Sequence, residues 1–264
     1  LFRSIGLVIA SVLAVALAKQ FFVTGFDIDT QRIGELSEGH DRTREIDAER
    51  LAKSSLGLVS DANVCPPSDF YIVTVPTPID GQNRPDLRLV EAASRTVGKM
   101  LPAAVAEGRA PVVVYESTVY PGVTEDICGP ILEQVSGLKC GVDFFLGYSP
   151  ERINPGDREH TIDRITKVVS GQTPDVLERV ADLYNAITSG GVFRAASIKA
   201  AEAAQSASNT KSAVESLPPE TATPSRAGGL GAKLSRNKSG KSAAPPVTGS
   251  RASAWPPSPR PPQV

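Results

Sequence analysis

The chain is poor in the residues from which metal and thiol chemistry are built. It holds three cysteines and two histidines among 264 residues. Cys65, Cys128 and Cys140 show no C-x-x-C spacing, and His40 and His160 stand far apart, so no zinc site is expected. An odd, sparse set of cysteines fits a reducing compartment better than a disulfide-stapled secreted domain. Neither sign of charge is in excess: the net charge is -1, which gives no global attraction to nucleic acid or an anionic membrane. Long hydrophobic runs are missing as well. The uncharged stretch from Ile5 to Ala18, IGLVIASVLAVALA, is shorter than the roughly 20 residues that cross a bilayer.

A second shortage lies at the end of the chain. After about Gln205 aliphatic residues thin out, and Trp255 is the one aromatic residue of a Pro-, Ser-, Ala- and basic-rich segment. Such a stretch cannot bury enough apolar surface to offset an ordering entropy of roughly 1–2 kcal/mol per backbone residue. Residues 212–264 are therefore read as a disordered tail. Its basic residues, Lys233, Arg236, Lys238 and Lys241, could meet an acidic partner, and PPSPRPP could serve as a polyproline ligand.

What is present before the tail alternates between two periodicities. FFVTGFDI, DFYIVTVPTP, APVVVYESTV, DFFLGYSP and ITKVVSG are short apolar runs bounded by turn residues, and read as buried strands. Between them, Leu87, Val90, Ala93, Ser94 and Val97 recur at helical spacing after Asp86, a good N-cap. In TPDVLERVADLYNAI, Val176, Val180, Leu183 and Ile187 form one stripe, with Thr173 as cap and Pro174 at the first helical position. The pattern predicts an α/β fold: a Rossmann-type, open, mostly parallel sheet with helices on both faces. Ligands bind such sheets beyond the carboxyl ends of the strands. Those ends carry Asp27, then Pro76-Thr77-Pro78, then Glu116-Ser117-Thr118, then SPERINPG, and a ligand site is expected there.

Asp27 closes a strand roughly twenty residues after Gly6, the spacing at which a dinucleotide fold places the carboxylate for the cofactor ribose. Ile5 to Phe21 then supplies the first strand, the phosphate turn and the first helix. The alternatives are a membrane helix and a signal segment, the latter with Arg3 as a positive start, Ile5–Leu13 as the apolar stretch and Ala16-x-Ala18 as a cleavage-like end. The G-x-G-x-x-G turn is incomplete. Gly6 stands alone, with Val8 near the second position and Ser11 near the third, and a branched Cβ at the second crowds a pyrophosphate.

From Phe22 to about Gln205 the chain resembles the UDP-glucose/GDP-mannose dehydrogenase family, and within it the bacterial UDP-N-acetylhexosamine dehydrogenases of capsule and O-antigen polysaccharide synthesis. The resemblance rests on FFVTGFDIDTQRIGEL, DRTREI, DFYIVTVPTPID, VVYESTVYPGVTEDICGPILE, DFFLGYSPERINPGDREHT and KVVSGQTP. It implies a cytoplasmic oxidoreductase that converts the C6 alcohol of a UDP-sugar to a carboxylate with two NAD⁺ and a thiohemiacetal on a cysteine. By resemblance, Gly6, Asp27, Arg32, Pro76, Thr77 and Thr118 bind NAD. Glu151, Arg152 and Asn154 meet the sugar nucleotide, and Thr118, Glu151 and Asn209 serve catalysis. A loop salt bridge is the bland alternative for Glu151 and Arg152, worth about 0–1 kcal/mol.

The departures from the family are specific. GLVIASVL stands where the family has GLGYVGLP. Gln205 stands where the family carries a catalytic lysine. No cysteine has the family's GGHC context, and Cys128 reads as core. These features lead to the expectation of a truncated or frame-shifted chain: an NAD-binding domain over 1–196, the start of a central helix over 197–211, then the tail. Family members are homodimers through that helix, an assembly doubtful for this chain. No nucleic acid or membrane partner is expected. The rival readings are a non-catalytic nucleotide-binding remnant and a secreted protein with an N-terminal signal.

Overall fold

In a computed structural model of the chain the described residues are 4–8, 11–78, 85–150 and 166–215. The strands are β1 (Ser4–Val8), β2 (Phe22–Phe26), β3 (Gly57–Val59), β4 (Phe70–Val73), β5 (Val112–Tyr115), β6 (Phe145–Tyr148), β7 (Lys167–Gly171) and β8 (Val192–Arg194). The helices are α1 (Ser11–Ala18), α2 (Thr30–Ser37), α3 (Ala48–Ala52), α4 (Arg88–Ala106), α5 (Gly129–Ser136), α6 (Pro174–Asn185) and α7 (Ile198–Glu215).

The strands form a sheet in the order β3-β2-β1-β4-β5-β6-β7-β8. Pairing is parallel from β3 through β6, antiparallel between β6 and β7, and parallel again to β8. The chain winds outward from β1 in one direction and from β4 in the other, so the order reverses between them. That reversal is where an open α/β sheet leaves a crevice.

Alternation along β4 explains both faces. Phe70 and Ile72 point to one side, where they pack with Leu13, Leu17, Val176 and Val180 from α1 and α6. Tyr71 and Val73 point to the other, among Val90, Val97 and Leu101 of α4 and Leu132 of α5. Every residue of β4, β5 and β6 is buried. A strand covered on both faces reads as a continuous apolar run, as these do.

The described part of the apolar stretch at the start of the chain belongs to the sheet and to this core. β1 lies between β2 and β4, and Leu13 through Ala18 are all buried. Ala16 and Ala18, the cleavage-like pair, are core residues. Among the described residues no helix is long and apolar enough to cross a membrane.

Local signals act as expected at α6, where the Thr173 hydroxyl accepts the Val176 N–H at 3.3 Å and Pro174 begins the helix. They act differently at α4. Leu87 occupies the cap position without a side-chain bond, while Asp86 takes the Arg88 N–H at 3.0 Å and the Arg88 guanidinium. The competing charge beside it draws the carboxylate out of the capping geometry. TEDICGPILE is a π-helix over Val123–Cys128 running into α5, with Cys128 in the core. α7 continues to Glu215, beyond the boundary drawn at residue 211. Its small residues and Glu215 suit a helix as well as they suit a polar tail. The rest of the expected tail, from 216, lies outside the described residues.

Two glycines test this packing. A Cβ on Gly171 would come within 2.7 Å of the Leu177 Cα, backbone that cannot yield, whereas one on Gly34 meets nothing within 4 Å. Gly171→Ala should destabilise the chain by about 1–3 kcal/mol. Gly34→Ala, inside α2, should stabilise it by about 0.5–1 kcal/mol. Urea unfolding midpoints of the two variants should therefore move in opposite directions.

Candidate functional site

The parallel strands end level with one another. Val59, Phe26, Val8, Val73, Tyr115 and Tyr148 are register partners in one row across the sheet. The polar residues expected at strand ends follow this row directly, so Asp27, Thr74–Pro78, Glu116–Thr118 and Ser149–Pro150 share one edge.

Asp27 is held by its surroundings before any ligand arrives. Its N–H bonds the Val59 carbonyl at 3.2 Å, and its Oδ1 accepts the Asp29 N–H at 2.9 Å. Asp29 caps α2 by accepting the Arg32 N–H at 3.0 Å. That cap places Arg32 in the first turn, with Nε 3.6 Å from Asp27 Oδ2 and Nη2 4.0 Å from Asp41 Oδ1. Asp41 is buried and accepts the Thr43 hydroxyl and the N–H groups of Thr43, Glu45 and Ile46. Burial pushes its pKa up, but the Thr43 hydroxyl and the three backbone donors outweigh it and hold the carboxyl below its ordinary value.

Beside Asp27 opens a cleft of about 290 Å³, lined by Ile28, Val75, Pro76, Leu89 and Ala93. Ile28 and Leu89 are large apolar residues exposed at its rim, at 80% and 44%. The Thr77 hydroxyl, next to Pro76, is buried and has no hydrogen-bond partner among the described residues. An apolar slot with a fixed carboxylate and an unpaired hydroxyl suits a planar base joined to a sugar diol.

Gly6 requires a correction. It lies inside β1, paired with Thr24 and Tyr71, and not at the turn. A Cβ there would stand 3.2 Å from Tyr71 Cδ1, so what demands glycine is close packing on the Tyr71 ring. Residues 9 and 10, which join β1 to α1, lie outside the described residues.

The Glu116–Thr118 segment is tied at each residue. The Glu116 carboxylate pairs with Lys167 and accepts the Tyr184 hydroxyl at 2.9 Å, and all three side chains are buried. Lys167 also lies 5.1 Å from the centroid of the Tyr184 ring. The Ser117 hydroxyl donates to the Val75 carbonyl at 2.7 Å, and the Ser117 carbonyl accepts the Tyr148 hydroxyl at 3.1 Å. Gln205 Nε2 reaches Thr118 Oγ1 at 3.4 Å.

α7 is seated for that last contact by a second buried acid. Glu202 accepts the N–H groups of Gly122 and Thr124 at 2.6 and 3.0 Å. Gly122 has φ +101°, and a Cβ there would meet Asp126 at 2.7 Å. Burial pushes the Glu202 carboxyl above its ordinary pKa, against the pull of those backbone donors.

No described cysteine has the character of a nucleophile. Burial pushes the Cys128 thiol up to about 11, and it also raises Cys65 and Cys140. The thiolate is the reactive form, and these environments suppress it. Among the described residues no group of three or more His, Cys, Asp or Glu could hold a metal.

The site thus brings together Asp27, Arg32 and Pro76 on one side, and Thr118 with Gln205 on the other. Asn209 lies one helical turn beyond Gln205 on α7. Glu151, Arg152 and Asn154 lie outside the described residues. Sequence reasoning missed the roles of Asp41, Lys167, Tyr184 and Glu202. A lysine opening the apolar run KVVSG, and a glutamate within AAEAAQ, were the available signals, since a charge amid buried positions requires a partner.

Comparison with known proteins supplies the context. The family model described as UDP-glucose/GDP-mannose dehydrogenase family, NAD binding domain, matches residues 4–188. Protein CapL of Staphylococcus aureus is 52% identical over 198 residues, 75% of this chain and 45% of its own length. The UDP-N-acetyl-D-glucosamine 6-dehydrogenase of Pseudomonas aeruginosa is 48% identical over 200 residues, 75% of this chain and 46% of its own. The chain therefore spans about half the length of these curated relatives. A solved UDP-glucose dehydrogenase from Pyrobaculum islandicum superposes with a TM-score of 0.71 at 26% identity, covering 81% of this chain and 51% of that one.

The buried ion pair gives the test of this geometry. Lys167→Met leaves the Glu116 charge buried and unpaired, and should cost about 3–5 kcal/mol. Adding Glu116→Gln removes that charge while keeping an acceptor for Tyr184, and should recover most of the loss. Chemical denaturation of the single and double variants measures both.

Proposed function

The chain belongs to the UDP-glucose/GDP-mannose dehydrogenase family, and from that premise we propose that it forms the cofactor half of an NAD-dependent UDP-N-acetylhexosamine 6-dehydrogenase. The observation that carries the proposal is Asp27, fixed at the end of β2 beside an apolar cleft. The described residues fit NAD. Asp27 would accept the adenosine ribose hydroxyls, the cleft between Ile28, Pro76 and Leu89 would take the adenine, and the buried Thr77 hydroxyl would gain a partner. NAD, when bound, supplies the hydride acceptor. The substrate class comes from the relatives, of which the one from Pseudomonas aeruginosa is a UDP-N-acetyl-D-glucosamine 6-dehydrogenase.

In this reading the row of strand ends divides the labour. Residues after β2 and β4 hold the adenosine end, and Thr118 after β5 faces the reacting end. Glu151, Arg152 and Asn154, carried over by resemblance, meet the sugar nucleotide. Gln205 keeps contact with Thr118 but brings no charge, whereas developing oxyanion character calls for a donor such as lysine, and removing one such donor costs about 10²–10³ in rate. Full oxidation of an alcohol to a carboxylate also needs the aldehyde held between two hydride transfers, normally on a thiolate. None of the three cysteines is suited to that role.

A second reading has its own support. Gln205 at the lysine position and three suppressed thiols fit a nucleotide-binding remnant without catalysis. Two measurements test the roles assigned above. By calorimetry, NAD should bind more weakly than micromolar, a level that corresponds to about -8 kcal/mol. Asp27→Ala should abolish binding. In turnover, the 264-residue polypeptide with NAD⁺ and UDP-N-acetylglucosamine should yield no uronic acid by mass spectrometry. Two NADH per sugar from this polypeptide alone would overturn the assigned roles.

A further inference from the structure

The neighbourhood of Asp27 holds more charge than a ribose-binding carboxylate requires. Four carboxylates, Asp27, Asp29, Glu35 and Asp41, surround two guanidinium groups, Arg32 and Arg42. The two arginines differ in place. Arg42 is on the outside, its side chain 39% exposed, and it pairs with Asp29 at 3.1 Å and Glu35 at 2.6 Å. Arg32 is on the inside, its side chain 17% exposed, with Asp27 on one side and Asp41 on the other.

Asp41 does not depend on Arg32 for its own position. Its four hydrogen bonds come from Thr43, Glu45 and Ile46, within its own turn. The contact with Arg32, at 4.0 Å, is a charge interaction and not a hydrogen bond. Asp41 is therefore a fixed, buried negative charge placed behind an arginine that faces the ribose-binding carboxylate.

That arrangement bears on which dinucleotide the site accepts. Arg32, 3.6 Å from the Asp27 carboxylate, is the cation that stands beside a ribose bonded to Asp27. An arginine at this place is the group that receives a 2′-phosphate in enzymes specific for the phosphorylated cofactor. In this chain its charge is matched from both sides, and the edge as a whole carries an excess of carboxylate. We propose that Asp41 is a specificity-determining residue: by holding Arg32 against Asp27 it keeps the adenosine site selective for a free 2′-hydroxyl and closed to a 2′-phosphate. The proposal rests on the dinucleotide reading of the site given above.

The probes are 5′-AMP and adenosine 2′,5′-bisphosphate, which differ only in the 2′ group and occupy only the adenosine half. Each is titrated into the 264-residue chain by NMR, and the result is the ratio of the two dissociation constants. A ratio taken on one sample does not move with the folded fraction, so a merely structural role for Asp41 would leave it unchanged. The native chain should prefer 5′-AMP by about 100-fold or more, as expected for a phosphate brought against a carboxylate edge. Asp41→Asn, equal in size, should cut that preference to about 10-fold or less. Adding Arg32→Gln should restore it, because Arg32 is the charge that Asp41 holds. Asp41→Asn with an unchanged ratio, or a double variant without restoration, would overturn the proposal. If Asp41→Asn does not fold, Arg32→Gln alone decides: the preference should hold or rise, and a fall of about 10-fold would overturn the proposal. Equal binding of both probes by the native chain sinks this proposal alone. Binding of neither sinks the dinucleotide reading beneath it.

Discussion

The ion pair between Glu116 and Lys167 joins the two parts of the sheet that have different pairing. Glu116 follows β5, in the parallel section, while Lys167 opens β7, which runs antiparallel to β6. The pair spans the strand between them, and α6 adds the Tyr184 hydroxyl from above. Taking two charges out of water costs several kcal/mol per ion, and close contact with extra hydrogen bonds offsets it without a large surplus. The pair is better understood as fixing one arrangement than as adding stability. A β7 shifted by one residue would leave both charges buried and alone. Because Glu116 is also the first residue of the segment that carries Thr118, the same pair sets that end of the candidate site.

The opposite end is set by a different device. Asp29 caps α2, the cap positions Arg32, and Arg32 lies between Asp27 and the self-contained turn at Asp41. The two ends are connected through Ser117, whose hydroxyl holds the Val75 carbonyl beside Pro76. The loops after β4 and β5 thus share a hydrogen bond before any ligand arrives, the preorganisation that the proposed chemistry requires.

Much of this was legible in the sequence where the controlling forces are local. β4 and β5 were readable because strands covered on both faces are continuous apolar runs. Thr173 and Pro174 marked the start of α6 because a cap acts within one turn. Asp27 was readable because the first strand, turn and helix of this fold have a nearly constant length. Long-range relations were not legible. An apolar run such as KVVSG looks the same whether its strand pairs parallel or antiparallel, so the reversal at β7 had no signature. Gly6 was placed at the turn because motif spacing says nothing of Tyr71, whose ring it packs against. Lys167, Glu202 and Asp41 were ordinary charges in the sequence, and only the fold shows that each is buried with a partner from elsewhere or from its own turn.

The level ending of the strands also defines what the other edge is free to do. Every group assigned here to ligand or chemistry lies beyond the carboxyl ends. At the amino ends of β5 and β6 the chain turns at Gly108 and Gly137, both with positive φ, and a side chain at either would meet nothing within 4 Å. Those two turns face away from the site across the full length of the strands. Left-handed backbone strains any side chain at the two glycines themselves, so the exposed Ala106 and Gln134, in the last turns of α4 and α5 just before them, are the attachment points for a dye, a spin label or a surface tether that leave the nucleotide edge open to solution.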